Sequence, residues 1–149
     1  MKLTSVKEVL TFAIRKEADS AAFYRMAADR SNPGIKKAFE DLAREEDGHK
    51  KKLETVDLKK IENTDVKEVP GAGMTDLFVD VPFSSDMSYA DLLRMAMKNE
   101  EASHHLYASA SQGVNEPGLK KLLLLLAREE STHQERLEKI YDKDILQEF

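Results

Sequence analysis

The chain has no cysteine and no tryptophan, few glycines and prolines, and no apolar run of membrane-spanning length. Each absence removes a class of answer. Without cysteine there are no disulfides, thiolate zinc sites, iron–sulfur clusters or thiol nucleophiles, and no built-in rubredoxin-type electron carrier. Any bound metal must be held by carboxylate and imidazole, and electrons for any redox step must come from another molecule. With six glycines and four prolines in 149 residues, little interrupts helix formation. A membrane span would need roughly 20 apolar residues in a row. The net charge of −5 and the lack of a basic block argue against a nucleic-acid partner. The opening stretch MKLTSVKEVLTFAIRKE meets charge too early for a secretory signal, so a cytoplasmic chain is expected.

What is present is a repeat. AREEDGH at 43–49 returns as AREESTH at 127–133, and NPGIKK at 32–37 returns as EPGLKK at 116–121, both at an offset of 84. AIRKEADSAAFY at 13–24 matches AMKNEEASHHLY at 96–107 at an offset of 83, which implies one residue gained or lost in the loop between. Ser5 with Glu8 and Ser88 with Asp91 form matching helix-start signatures. Pro33-Gly34 and Pro117-Gly118 open the second helix of each copy.

The expected architecture is all-α. Helices at roughly 6–30, 34–57, 89–112 and 117–142 make one domain over 1–149, a four-helix bundle of two repeated hairpins (about 5–57 and 88–142). A long crossover at about 58–87 joins them, with Phe78, Val79, Val81 and Phe83 expected to pin it to the bundle.

Helical periodicity marks an inward stripe on each helix, and each stripe is broken near its middle by a glutamate. In the first and third helices these are Glu17 and Glu100. In the second and fourth they are Glu46 with His49, and Glu130 with His133, spaced i, i+3 on one face. Four ionised carboxylates in one core need counter-charge. Two divalent cations supply four positive charges against four negative, and each neutral histidine adds a nitrogen ligand. The pattern therefore asks for a dinuclear site, and its carboxylate-rich donors favour iron or manganese over copper. Glu45 and Glu129 sit one position off the stripe and are expected to be solvated partners of nearby Lys and Arg.

This arrangement, over nearly the whole chain, resembles the ferritin-like di-iron carboxylate proteins, and most closely the rubrerythrin family in its short form without a rubredoxin domain. The resemblance implies a ferritin-like bundle with two iron ions, manganese or zinc being possible, held by Glu17, Glu46, His49, Glu100, Glu130 and His133. Tyr24 and Tyr107, seven residues beyond the first glutamate of each copy, look like donors to ligand carboxylates; core tyrosines would also fit the pattern. The implied activity is reduction of hydrogen peroxide or dioxygen with electrons from an external donor such as a rubredoxin or a flavoprotein. Iron handling by a ferroxidase, or a metal-binding module without redox catalysis, are the alternatives. The chain departs from the family at Ser103, where rubrerythrins carry an additional carboxylate, and this puts their peroxidase chemistry in doubt. His104, one turn past Glu100, is either a base near the metals or a core histidine satisfied by a hydrogen bond, and His105 is expected in solvent. Leu122 to Leu126 turn through more than one helical circumference. The outward Leu124 and Leu125 therefore need a cover, from the crossover or, as expected here, from a second copy in a homodimer.

Overall fold

Helix starts are fixed by side chains that catch otherwise unpaired amides. Ser5 Oγ accepts from the Glu8 amide at 3.1 Å, and the Glu8 carboxylate reaches back to the Thr4 amide at 2.9 Å, opening α1 (Val6–Asp29). Asn32 caps α2 (Pro33–Glu54) through Ile35, with Pro33 in the first turn where its missing N–H costs nothing. A short α3 (Leu58–Ile61) follows. Ser88 caps α4 (Tyr89–Gly113), and the Glu116 carboxylate caps α5 (Pro117–Asp144) by accepting from Gly118 and Leu119. The computed structural model describes residues 2–61, 66, 69–70 and 87–146.

The two hairpins are α1–α2 and α4–α5. The expected helices are all present, with ends moved by up to three residues, the usual range for fraying ends. One expectation is corrected. Three residues separate the helices in both hairpins (30–32 and 114–116), so the inserted residue is absorbed by α4, which has 25 residues against 24 in α1. A helix takes up a residue at its last turn without loss when a new cap forms, here through the Val114 amide on the Ala110 carbonyl at 3.1 Å.

The core falls into two apolar layers. Val6, Val9, Leu10, Leu53, Leu106, Leu119, Leu123 and Leu126 fill one end of the bundle. Phe23, Ala27, Phe39, Leu42, Leu92, Leu93 and Leu137 fill the other. α1 thus runs antiparallel to α2 and to α4, and α5 antiparallel to α4 and to α2. Because α2 ends where α4 also ends, the chain between them must travel the length of the bundle. Its first part is visible. Ile61 is buried in the first layer, Val66 bridges to Val114, and β2 (Val69–Pro70) pairs antiparallel with β1 (Lys2–Leu3). Phe78, Val79, Val81 and Phe83 lie outside the described residues. Among the described residues, no helix is long and apolar enough to cross a membrane.

The leucine run divides as its helical phase requires. Leu123 and Leu126 are fully buried, Leu122 is half-buried, and Leu124 and Leu125 are 49% and 39% exposed. Leu126→Ala is expected to cost about 2–5 kcal/mol of unfolding free energy, and Leu124→Ala less than about 0.5 kcal/mol. Urea unfolding of the two variants at one low protein concentration measures the difference, and similar losses would contradict the observed phase of α5.

Candidate metal centre

Between the two apolar layers lies a polar one. Glu17, Glu46, Glu100 and Glu130 and both histidines are at most 3% exposed. Each helix contributes at its midpoint: α1 gives Glu17, α4 gives Glu100, and α2 and α5 each give a glutamate and a histidine one turn apart. All six residues singled out by the sequence pattern meet there. Their donor atoms form two overlapping groups of four, each within 4.8 Å: Glu17, Glu46, His49 and Glu130 in one, and Glu46, Glu100, Glu130 and His133 in the other. Glu46 and Glu130 belong to both, and Glu46 also joins His49 and His133 in a third group of three. Of the two groups of four, Glu17 is in one alone and Glu100 in the other.

The atoms that face each other have no hydrogen-bonding partner. Both oxygens of Glu46 and of Glu130, one each of Glu17 and Glu100, and Nδ1 of both histidines are buried without one. His49 Nδ1 is 2.9 Å from Glu130, 3.3 Å from Glu46 and 3.5 Å from Glu17. His133 Nδ1 is 3.1 Å from Glu46, 3.6 Å from Glu100 and 3.7 Å from Glu130. Imidazole nitrogens this close to several carboxylates, aligned as a hydrogen bond to none, are donors converging on a common centre. Buried oxygens and imidazole nitrogens converging without a hydrogen-bond partner fit a cation site, and a set of hard carboxylate oxygens with imidazole nitrogen fits iron or manganese.

The outer oxygens of the two unshared glutamates are tied down. Tyr24 donates to Glu100 and Tyr107 donates to Glu17, both at 2.5 Å. These bonds cross between hairpins and are the phenol-to-carboxylate contacts expected of Tyr24 and Tyr107. Burial, and then the neighbouring Glu100 or Glu17 charge, push both phenols well above their ordinary pKa, so they stay protonated and donate.

Other expectations resolve differently. His104 Nδ1 lies 2.8 Å from the Ala127 carbonyl, joining α4 to α5, so it is the satisfied histidine and not a group aimed at the centre. His105 is in solvent beside Glu101. Ser103 is buried with its hydroxyl unpartnered, while Ser20 accepts from Asn99 at 3.1 Å. Glu45 and Glu129 do pair with cations, Glu45 with Arg136 at 2.7 Å and Glu129 with Lys52 at 3.7 Å. They also have a second contact that helical periodicity does not signal. Each touches the outer nitrogen of a histidine, Glu45 that of His133 and Glu129 that of His49. Lys16 is another residue that periodicity does not mark. It is 4% exposed and its ammonium donates to Asn99 at 2.9 Å. The repeat held the signal: Lys16 and Asn99 precede Glu17 and Glu100 at the same offset of 83. Burial lowers the Lys16 pKa, and the four glutamates oppose that shift.

Access is on the α2–α5 side. A pocket of about 300 Å3 lies over the histidines, lined by Glu45, Gly48, His49, Lys52, Glu129, Thr132 and His133. It is large enough for a few waters or a small oxidant, and it opens onto the edge of the ligand layer.

Proton affinity is raised at Glu46, Glu130, His49 and His133. Burial, then the charges of the other glutamates, put Glu46 and Glu130 well above the ordinary carboxylate range. Burial disfavours charge on His49 and His133, but the surrounding carboxylates outweigh it and raise both. The signs agree. A glutamate with a raised folded pKa contributes stability below its unfolded value and loses it as pH rises through the raised one. The histidine contribution is likewise complete below the unfolded value and lost above it. Metal-free protein is therefore expected to melt at progressively lower temperature from about pH 5 to about pH 8. Saturating divalent metal should oppose the trend, because the ligands must shed those protons to bind. A metal-free melting temperature that climbs over this range would contradict the assignment.

The sequence profile of the rubrerythrin family matches residues 8–74 and 91–148. Among solved structures, a Thermotoga maritima protein provisionally described as a ferritin-like diiron-carboxylate protein superposes with a TM-score of 0.71 at 21% identity, over 94% of this chain and 95% of that one. A hypothetical protein of Pyrococcus furiosus superposes with a TM-score of 0.70 at 26% identity, over 90% of this chain and 86% of that one. No curated protein matches significantly. The bundle is thus ferritin-like, its buried Glu/His layer fits a di-iron carboxylate site, and the chain belongs to the rubrerythrin family.

Proposed function

We propose that the chain is a non-haem di-iron oxidoreductase that reduces hydrogen peroxide or dioxygen with electrons from an external donor. One observation carries the reading: two buried four-residue donor groups that share Glu46 and Glu130. Carboxylates common to both groups would hold two cations, and a redox-active pair would supply the two electrons that a small oxidant takes up. Glu17 with His49, and Glu100 with His133, complete the two halves. Two iron ions per chain would supply the electron pair; manganese or zinc would satisfy the same donors with other consequences.

The protein's own groups set the conditions for that chemistry. Tyr107 and Tyr24 occupy the outer oxygens of Glu17 and Glu100, leaving the inner oxygens free to face the centre. The apolar layers on either side exclude water from both ends of the bundle. The pocket between α2 and α5 leaves one side open to a molecule the size of hydrogen peroxide. Peroxide needs two electrons and two protons to give two waters. The 149 residues include no cysteine and so no rubredoxin-type carrier, and the reading assigns electron delivery to a donor such as a rubredoxin or a flavoprotein. A second copy over exposed Leu124 and Leu125 would form a homodimer.

Anaerobic loading with Fe(II), followed by removal of excess ion, is expected to leave two irons per chain. Peroxide should then oxidise the bound iron faster than free ferrous ion, and equal rates would sink the redox reading. Glu46→Ala and Glu130→Ala should each lower the content of both ions, since each carboxylate serves both groups. Glu17→Ala and Glu100→Ala should each weaken one. Light scattering is expected to give a particle of two chains; a large closed shell would favour iron storage instead.

A further inference from the structure

The two glutamates outside the ligand layer occupy equivalent places. Glu129 of α5 sits against Nε2 of His49 on α2, and Glu45 of α2 lies 3.5 Å from Nε2 of His133 on α5. Each contact crosses from one hairpin to the other. Each glutamate is anchored by a cation three residues beyond a layer histidine: Lys52 is 3.7 Å from Glu129, and Arg136 is 2.7 and 3.0 Å from Glu45. The two imidazole rings between them are stacked, with centroids 5.5 Å apart and planes 11° from parallel. Their inner Nδ1 atoms point into the carboxylate layer, and their outer edges line the pocket.

We propose that Glu129 and Glu45 are positioning residues for the metal centre. Each accepts the Nε2 proton of the opposite hairpin's histidine, and so fixes the tautomer and ring angle that aim Nδ1 at the ion. The proposal rests on the dinuclear reading above. A neutral imidazole binds through one nitrogen only when the other carries the proton, and an acceptor at that proton selects the tautomer. The acceptors here come from the partner hairpin, so neither half of the centre is complete within its own repeat. The two are unequal. Arg136 holds both oxygens of Glu45, leaving a looser contact to His133, whereas Lys52 stands farther from Glu129, which closes on His49. Glu129 is therefore the stronger of the pair.

The test is cobalt(II) titration of the full chain against a competing chelator, read from the visible spectrum of the bound ion, for wild type, E129A, E129Q, E45A and E45Q. Metal-free helicity and melting of each variant serve as the folding control. The expected result for E129A is two bound ions, with one weakened about tenfold or more and an altered spectrum for that ion. E45A should show a smaller loss. E129Q should recover most of the affinity, because its amide carbonyl still accepts the Nε2 proton. Wild-type affinity for both ions in E129A would overturn the positioning role and leave the dinuclear reading standing. Equal losses in E129A and E129Q would also overturn it, by showing that charge and not the hydrogen bond matters. Wild type binding no cobalt would overturn the dinuclear reading itself, and this proposal with it.

Discussion

Four carboxylates in one buried layer are the constraint around which this bundle is arranged. At an effective dielectric of about 20, two unit charges about 4 Å apart repel by roughly 4 kcal/mol. Glu17 and Glu100 each have a carboxylate oxygen within 4.8 Å of oxygens of Glu46 and Glu130. A leucine layer would pack the same volume with no such cost. The fold tolerates the arrangement through neutralisation on every side: phenol donors on Glu17 and Glu100, imidazoles beside Glu46 and Glu130, and a buried ammonium at Lys16. What these groups leave unmatched is the inward set of oxygens and Nδ1 atoms. A bound cation would compete with protons for the Glu46, Glu130, His49 and His133 atoms of that set, whose proton affinity is raised.

The same constraint explains how the two hairpins meet. Within each hairpin, apolar side chains pack along the helices. Across the boundary at the ligand layer the contacts are largely polar: Tyr24 to Glu100, Tyr107 to Glu17, Lys16 to Asn99, Asn99 to Ser20, and Arg136 to Glu45. Directional contacts fix register in a way that interchangeable leucines do not. A slip of one helical turn would place a carboxylate against Leu42 or Leu126 with no donor in reach.

Much of this was legible in the sequence because duplication writes the signal twice. One Glu-x-x-His in a charged helix means little, but two at an offset of 84, each at the middle of an apolar stripe, identify Glu46, His49, Glu130 and His133. The stripes also mark Glu17 and Glu100, whereas a donor role for Tyr24 and Tyr107 came with the family resemblance, core tyrosines fitting the pattern equally well. Three features lie outside what periodicity can read. It makes Glu45 and Glu129 ordinary surface ion-pair partners, because it assigns a residue to a face and says nothing of how far a long side chain reaches across a groove. Lys16 carries no signal in the stripe, since a lysine beside a glutamate looks solvated until the opposite helix brings Asn99 to it. The change of offset places the extra residue in a loop, the cheaper place by default, although the end of α4 accommodates it.

The departures from repeat symmetry show where the two halves can differ in behaviour. The shared carboxylates and both histidines keep the symmetry, as they must if each ion needs the same donors. It breaks immediately around them, at Lys16 against Asn99, Ala21 against His104, Gly48 against Thr132 and Lys52 against Arg136. None of these side chains belongs to the two donor groups, yet each alters what surrounds one half. A positive charge lies on the α1 side of the layer, and its counterpart on α4 is a neutral amide. At the pocket mouth, the glycine leaves open space where a Cβ would meet nothing within 4 Å, and the equivalent place carries a threonine. A strictly symmetric centre would present an oxidant with two equal ions. Here the two donor groups have unequal surroundings: the buried ammonium of Lys16 lies on the α1 side, and the pocket mouth is more open beside Gly48 than beside Thr132.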